Sequence, residues 1–518
     1  MASLVQSIDY AAVGPPLVVA VTAVGALVTE LFLPRARAVL GVAFAGLVAG
    51  FAALGALWGE VRRTFCLRGD ACSYVVDELT LVFQLLALAG VGVVLLLSVP
   101  SLGGRPGTPG GPGGRPEAPP GEYAFLLLAS AAGAMTLAAA RDLVTLVVAL
   151  EMLSLPAFAL VGLRRHGRSG PADLTAGEAA LKFFLVSVVS TAVMLMGISL
   201  VYGLTGALQL SLVAEGLSRP PAAAVAGATP ALAVGVALTL AGFAFKVSAV
   251  PFHFWAPDTY EGAPVPVAAY LSVVSKAAGF AGLLLVVGIG FRPYVDVWAP
   301  LVAVLAALTM TVGNLVALRQ RHAVRLLAWS SIAQAGYMLV PLGVAAEAPE
   351  VGQALSATVA YVLIYGVMNL GAFAAVVVAS SRLPGNTLAD YRGLARSQPV
   401  TALALAFFLV CLAGLPPGLI GLFAKVVVFR AAVSGGIGWL AVVMAVNIVI
   451  ALYYYLVWAA SLFAPPAGEG APVAAAPSGR SALPAALALA LLVVAAVVLS
   501  ALPQILLQVL PGQAALLG

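Results

Sequence analysis

Apolar residues run along the chain in fourteen blocks, each closed by charge or by Gly and Pro clusters. The blocks cover 13–33, 38–58, 75–99, 123–140, 142–163, 177–203, 230–255, 264–290, 297–318, 322–344, 351–381, 399–431, 435–463 and 481–510. Each is close to the roughly 20 residues that a helix needs to cross a bilayer, so the pattern predicts about fourteen transmembrane helices. Barrel strands would alternate apolar and polar positions over about ten residues, whereas Leu85 to Leu97 is almost continuously apolar. A β-barrel is excluded.

Between the blocks, 103–121 is dense in Gly and Pro and 465–481 in Ala, Pro and Gly. Both read as surface loops with no core to build. Composition agrees with the pattern: 62% of the 518 residues are apolar, only 9% are charged, and the mean hydropathy is +1.09. Soluble domains carry about 25% charged residues, so the chain is an integral membrane protein whose first partner is lipid. Its net charge of +5 is scattered and not gathered with aromatics, which argues against nucleic acid.

Three cysteines, Cys66, Cys72 and Cys411, lack the spacing of a metal or cluster site, and no glycine-rich nucleotide fingerprint is present. Residues 1–10 hold Asp9 and no base, unlike the start of a cleavable signal, so the first block is expected to stay. Fourteen arginines fall in odd-numbered loops and seven in even-numbered ones, which places both termini on the outer side. Arg62, Arg63 and Arg68 in the second loop run against that bias. Cys66 and Cys72 would then lie outside, where a disulfide and two free thiols are both open readings.

The two kinds of base are divided between places. Every arginine is in or beside a loop, while all four lysines, Lys182, Lys246, Lys276 and Lys425, sit inside apolar blocks. A buried lysine changes protonation readily and an arginine does not. Each such charge costs roughly 2.5 to 3.5 kcal/mol at the bilayer centre, so the placement points to proton transfer. Glu151 stands nine residues after Asp142, about 14 Å into the membrane at 1.5 Å per residue.

Lys246 and Lys425 flank helix-breaking prolines, Pro251 and the pair Pro416 and Pro417, and broken helices are where transporters place ion sites. Gly242–Val247 and Gly421–Val426 share the pattern G-x-x-x-K-V, 179 residues apart, which suggests two similar five-helix units. His253, inside the first broken block, has the near-neutral titration that suits a relay, and a hydrogen-bonded core role is its alternative. Lys182, four residues after Glu178, also fits an ion-paired interfacial lysine.

These residues carry a resemblance. Val250–Asp258 (VPFHFWAPD), Glu261–Pro264 (EGAP) and Ser275-Lys276 resemble the signature of the antiporter-like proton-pumping subunits of respiratory complex I. Leu150–Pro156 (LEMLSLP), Arg325–Ile332 (RLLAWSSI) and Asp390–Ala395 (DYRGLA) are most similar to the subunit N family of NADH-quinone oxidoreductase. The resemblance covers nearly the whole chain. It implies an all-α membrane protein with two inverted five-helix repeats containing broken helices. The expected organisation is 1–122, three helices and the Gly/Pro-rich loop; 123–290, the first repeat; 297–463, the second; and 464–518, a loop and the last helix.

The resemblance also implies roles: Glu151 and Lys246 as an interacting pair, Lys276 as a central connector, Lys425 at the far end of a polar axis, and Lys182 near the family's additional lysine. It implies a bacterial inner-membrane subunit of an NADH:quinone oxidoreductase, beside other antiporter-like and small hydrophobic subunits. FMN, iron-sulfur clusters and quinone would be bound by other subunits, with no cofactor in this chain. Many relatives carry a histidine where this chain has Gln334, which cannot ionise, so a relay there would run through water held by Gln334 and nearby hydroxyls. The competing readings are a subunit of a multi-subunit cation/proton antiporter or membrane-bound hydrogenase, and a non-pumping scaffold.

Overall fold

A computed structural model describes residues 8–68, 71–103, 118–163, 171–218, 228–346, 351–381, 383, 385–465 and 483–510. Most of both low-complexity loops, and Arg105, Arg115, Arg164, Arg165, Arg168, Arg219, Arg382 and Arg480 of the charge count, lie outside the described residues.

The chain begins with α1 (Gly14–Phe32) and α2 (Ala36–Ala56), then strands β1 (Arg62–Arg68) and β2 (Ala71–Val76), then α3 (Glu78–Leu102). It continues through α4 (Pro120–Ala139), α5 (Leu143–Gly162), α6 (Pro171–Thr205), α7 (Leu210–Ser218), α8 (Ala228–Lys246) and α9 (Trp255–Gly262). Next come α10 (Val265–Tyr270), α11 (Lys276–Leu285), α12 (Val295–Ala317), α13 (Ala323–Gly343) and α14 (Val351–Ser380). The last are α15 (Leu394–Ser397), α16 (Pro399–Ala413), α17 (Leu419–Ser434), α18 (Gly438–Ser461), α19 (Leu483–Ala501) and α20 (Gln504–Val509).

Every predicted block coincides with helix. Among the described residues, however, 11 helices are long and apolar enough to cross a membrane. The difference has two causes. Breaks cut the seventh and twelfth blocks into pieces, leaving Pro230–Lys246 and Pro399–Ala413 as shorter apolar helices. The third case is α13, which carries Ser330, Ser331 and Gln334 and is correspondingly less apolar.

The expectation of helix alone needs a correction. Residues 62–76 form an antiparallel hairpin in which Cys66 pairs with Cys72 across the strands, and the two are joined by a disulfide. The Asp9 carboxylate pairs with the Arg62 guanidinium at 3.1 Å, which ties the start of α1 to this hairpin. Burial works against that carboxylate's charge, but the bond from Arg62 and two backbone amides outweigh it and hold its pKa below the usual range.

Side chains set the helix starts. Asp77 accepts from the Thr80 backbone N–H, and Asp142 from those of Val144 and Thr145. Asp77 also pairs with Arg141 in a buried contact beside Thr80. Arg141, counted above as a loop charge, is therefore an internal one.

The helix pair α12 and α13 packs closely because Gly313 lies against the Ala333 backbone and Gly336 against Met310; a Cβ at either would need the partner helix to move. At the bundle centre every residue of 267–290 is buried. Two π-helical stretches, Leu271–Ser275 and Val286–Gly290, interrupt it, and Lys276 follows the first directly. Such turns concentrate at functional sites.

Candidate functional site: a row of buried lysines

Lys246 is the last residue of α8, where the helix stops before an irregular stretch, 247–254, that holds Pro251. The indole N–H of Trp255 donates to the Phe245 carbonyl at 3.0 Å, satisfying one acceptor that the helix end leaves open. The Lys246 ammonium donates to the Ser154 hydroxyl at 2.8 Å. Glu151 is three residues earlier on α5, and its carboxylate accepts from the Thr191 hydroxyl of α6 at 2.6 Å. The pair thus shares one helix turn while each member keeps its own hydroxyl partner. From Ser154 hydroxyls lead inward: Ser130 donates to the Leu153 carbonyl at 2.6 Å, and Tyr270 donates to Ser130 at 2.7 Å.

Lys276 is 2% exposed and donates to both the carbonyl and the hydroxyl of Ser331 on α13, at 2.7 and 2.6 Å. Beside it, Ser330 shares a hydrogen bond with the Tyr455 hydroxyl of α18. The amide of Gln334, one turn further along α13, donates to Tyr455 at 3.2 Å and to the Leu412 carbonyl at 3.4 Å. Its oxygen accepts from Tyr361 at 2.7 Å. Gln334 is therefore a three-way polar node that links α13 to α14, α16 and α18.

Lys425 lies beyond the second break, where α16 ends at Ala413 and Pro416 and Pro417 precede α17. Its ammonium donates to the Ala413 carbonyl, at a helix C-terminus whose open carbonyls favour a cation. Gly414 turns the chain there with φ +81°, and a Cβ would come within 2.9 Å of the lysine stem. Lys246 precedes its break and Lys425 follows its own, so the G-x-x-x-K-V echo does not correspond to one position in two like breaks.

Residues 140–451 match the transmembrane family described as NADH:quinone oxidoreductase/Mrp antiporter. The chain is 54% identical to NADH-quinone oxidoreductase subunit N 2 of Streptomyces griseus subsp. griseus over 525 aligned positions, covering 98% of this chain and 94% of that one. The chain belongs to the NADH-quinone oxidoreductase subunit N family. A subunit in the structure of respiratory complex I from Thermus thermophilus with bound aureothin is 32% identical, with a TM-score of 0.72 over 94% of this chain and 98% of that one. The Mrp complex from Dietzia sp. DQ12-45-1b holds a chain of the same fold, with a TM-score of 0.80 at 23% identity over 98% and 99% of the two chains.

In this subunit N relative Glu151, Lys246, Lys276 and Lys425 each have a polar partner on a neighbouring helix or helix end, and two candidates stand apart from them. Lys182 is on the surface, paired with Glu178 at 2.7 Å and Asp258 at 3.1 Å. Asp258 also pairs with Arg325, as does Glu261, so a cluster of charges ties α6 and α9 to the start of α13. His322 borders that cluster, 3.9 Å from Glu261; burial lowers its pKa most, Arg325 adds to this, and Glu261 and Asp390 oppose it. His253 is buried in the first break, its ring edge-on to Trp329 and its Nδ1 without a hydrogen-bond partner among the described residues.

Sequence reasoning missed the neutral members Ser154, Ser331, Tyr361 and Tyr455. It also missed Asn314 and Asn447, buried amides inside apolar helices. An amide within an apolar run was the available signal, because such groups are costly in a membrane unless partnered.

Proposed function

We propose that this chain is a proton-translocating membrane subunit of an NADH-quinone oxidoreductase, with protons moving along Glu151, Lys246, Lys276 and Lys425. The observation that carries the reading is the row itself. Its three lysines are buried, each donates to neutral oxygens, and Ser330, Tyr455, Tyr361 and the Gln334 amide form a hydrogen-bonded cluster in the region of the last two. Protonation of Glu151 would weaken its electrostatic support of the Lys246 ammonium across one helix turn and drive a proton toward Lys276. The sites titrate as a set. His253, with its open Nδ1 at the first break, is the candidate entry group.

Electron transfer belongs to other subunits of the assembly, which would hold FMN, iron-sulfur clusters and quinone; this chain contributes no redox chemistry. Fourteen crossings in two inverted five-helix repeats, spanning 123–290 and 297–463, fit the helix order and the two breaks. The disulfide hairpin supports an outer face for the N-terminus, because disulfides persist in oxidising compartments and Asp9 is paired with Arg62 of the same hairpin. With an even number of crossings the C-terminus returns to that face of the bacterial inner membrane. After reduction, a membrane-impermeant maleimide should label Cys66 and Cys72 in intact spheroplasts and not in sealed inverted vesicles. The reverse pattern rejects this orientation.

The decisive experiment is NADH-driven proton pumping in inverted vesicles carrying Lys246→Ala, with assembly followed on native gels. Loss of pumping and of quinone reduction in an assembled complex is the expected result; wild-type levels of both would sink the reading and favour a scaffold. The high fold similarity to the Mrp chain keeps a cation/proton antiporter subunit as the second reading. Purification of the native assembly separates the two, since only the first brings NADH-oxidising and iron-sulfur subunits with it.

A further inference from the structure

Lys425 has no acidic group among the helices packed closely on it. Neither α17 itself nor α13, α14, α16, α18 or α19 contains an Asp or Glu. The titratable side chains on those helices are Tyr337 and Arg325 on α13, Tyr361 and Tyr365 on α14, Cys411 on α16, and Tyr453, Tyr454 and Tyr455 on α18. Arg430, on α17, is exposed. Lys246 has Glu151 one turn away, so the two ends of the row are built differently. An ammonium in a membrane still needs something negative, and besides the Ala413 carbonyl an aromatic face supplies it: the ring of Tyr337 lies 5.7 Å from the Lys425 Nζ. A ring centroid within about 6 Å attracts a cation through its negative face.

That ring is held in place. The Asn314 amide donates to the Tyr337 hydroxyl at 3.2 Å and to the Asn447 side-chain oxygen at 3.0 Å, and its own oxygen accepts from Tyr454 at 3.0 Å. Asn447 in turn donates to Thr311 at 3.1 Å. Both asparagines are buried, and this network anchors the hydroxyl of Tyr337, whose ring the lysine lies over.

We propose that Tyr337, clamped by Asn314 and Asn447, is the positioning residue that holds the protonated form of Lys425, its aromatic face standing in for the missing carboxylate. The inference rests on the reading that Lys425 carries a proton. Asn314 and Asn447 do not transfer protons themselves; they fix the ring against the helix C-terminus at Ala413, so that ring and carbonyl together make the cation seat.

The test is NADH-driven pumping by the assembled complex in inverted vesicles between pH 6 and pH 10, for the wild type, Tyr337→Leu, Tyr337→Phe, Asn447→Leu and Lys425→Ala. Removing the ring in Tyr337→Leu should move the alkaline limit of pumping to lower pH by about half to one and a half units. Tyr337→Phe keeps the ring and should recover most of that shift, and Asn447→Leu should shift the limit the same way by less. A uniform fall in rate with no shift, or a Phe variant that behaves as the Leu variant does, overturns the proposal. Should Tyr337→Leu fail to assemble, Asn447→Leu decides by the presence or absence of the shift. Lys425→Ala separates the two levels. Full pumping by it removes Lys425 from the path and the proposal with it, whereas lost pumping without a shift in the others overturns the seat alone.

Discussion

The Lys276 ammonium is gripped by two oxygens of one residue, the carbonyl and the hydroxyl of Ser331. The carbonyl belongs to the backbone of α13 and cannot be removed by substitution; the hydroxyl can.

Ser331→Ala should therefore leave Lys276 attached by its carbonyl bond and still slow proton transfer. A hydrogen bond to a charged group contributes about 1.5 to 3 kcal/mol, so NADH-driven pumping should fall by about 10- to 150-fold in a complex that assembles normally. Dye-quenching rates in inverted vesicles measure this, and an unchanged rate would show the hydroxyl to be idle.

Gln334 bridges Tyr361, Tyr455 and the Leu412 carbonyl, so its polarity matters more than its lack of charge. Gln334→Leu should abolish most pumping by leaving the Tyr361 hydroxyl without this partner and Tyr455 with Ser330 in place of two. Gln334→His can donate and accept in the same place and should retain it. Equal loss in both variants would contradict a water-and-amide relay.

The buried contact between Asp77 and Arg141 locks the start of α3 to the turn before α5. Arg141→Leu leaves a buried carboxylate uncompensated and should cost about 3 to 5 kcal/mol. Loss of the mature complex on native gels is the readout, and Asp77→Asn in the same chain should restore part of it.

His322 gives a pH dependence with a defined sign. An unfolded histidine gains its proton near pH 6.5, while burial makes the folded His322 gain it only at lower pH. Between these values the unfolded chain binds more protons, so the folded state loses stability as the pH falls below about 6.5. Thermal unfolding of the purified complex at pH 7.5 and pH 5.5 should show a smaller acid penalty in His322→Gln than in the wild type.

What the sequence revealed follows from how loud each signal is. Long apolar runs are nearly unambiguous, and they located every helix-bearing block. The hairpin escaped because Arg62–Val76 mixes charge, hydroxyls and cysteines over strands of 7 and 6 residues, too short for any period to emerge. The nine residues of α7 escaped for the same reason. In the site, Lys246, Lys276 and Lys425 stood out because charge is scarce in membrane helices. Ser331 and Tyr455 did not, since hydroxyls satisfy themselves on their own helix and occur throughout such segments. The proposed role of Tyr337 depends on four helices meeting, α12, α13, α17 and α18, which no local pattern records. Position relative to the breaks was also illegible: Pro251 marks the first break, but α8 stops at Lys246, five residues earlier than that proline.

The π-helical stretch before Lys276 bears on how this helix can vary. Its five residues, Leu271–Ser275, pack one more residue into the turn than an α-helix would use. Deleting a single residue there would yield a more regular helix with the same buried, apolar character. Because that extra residue is absorbed within the turn, its loss would leave the helix on either side in register, with Lys276 still facing Ser331. A single deletion in this short stretch should thus be tolerated far better than one in the regular helix that follows, Lys276–Leu285, where each lost residue turns the remainder by about 100°.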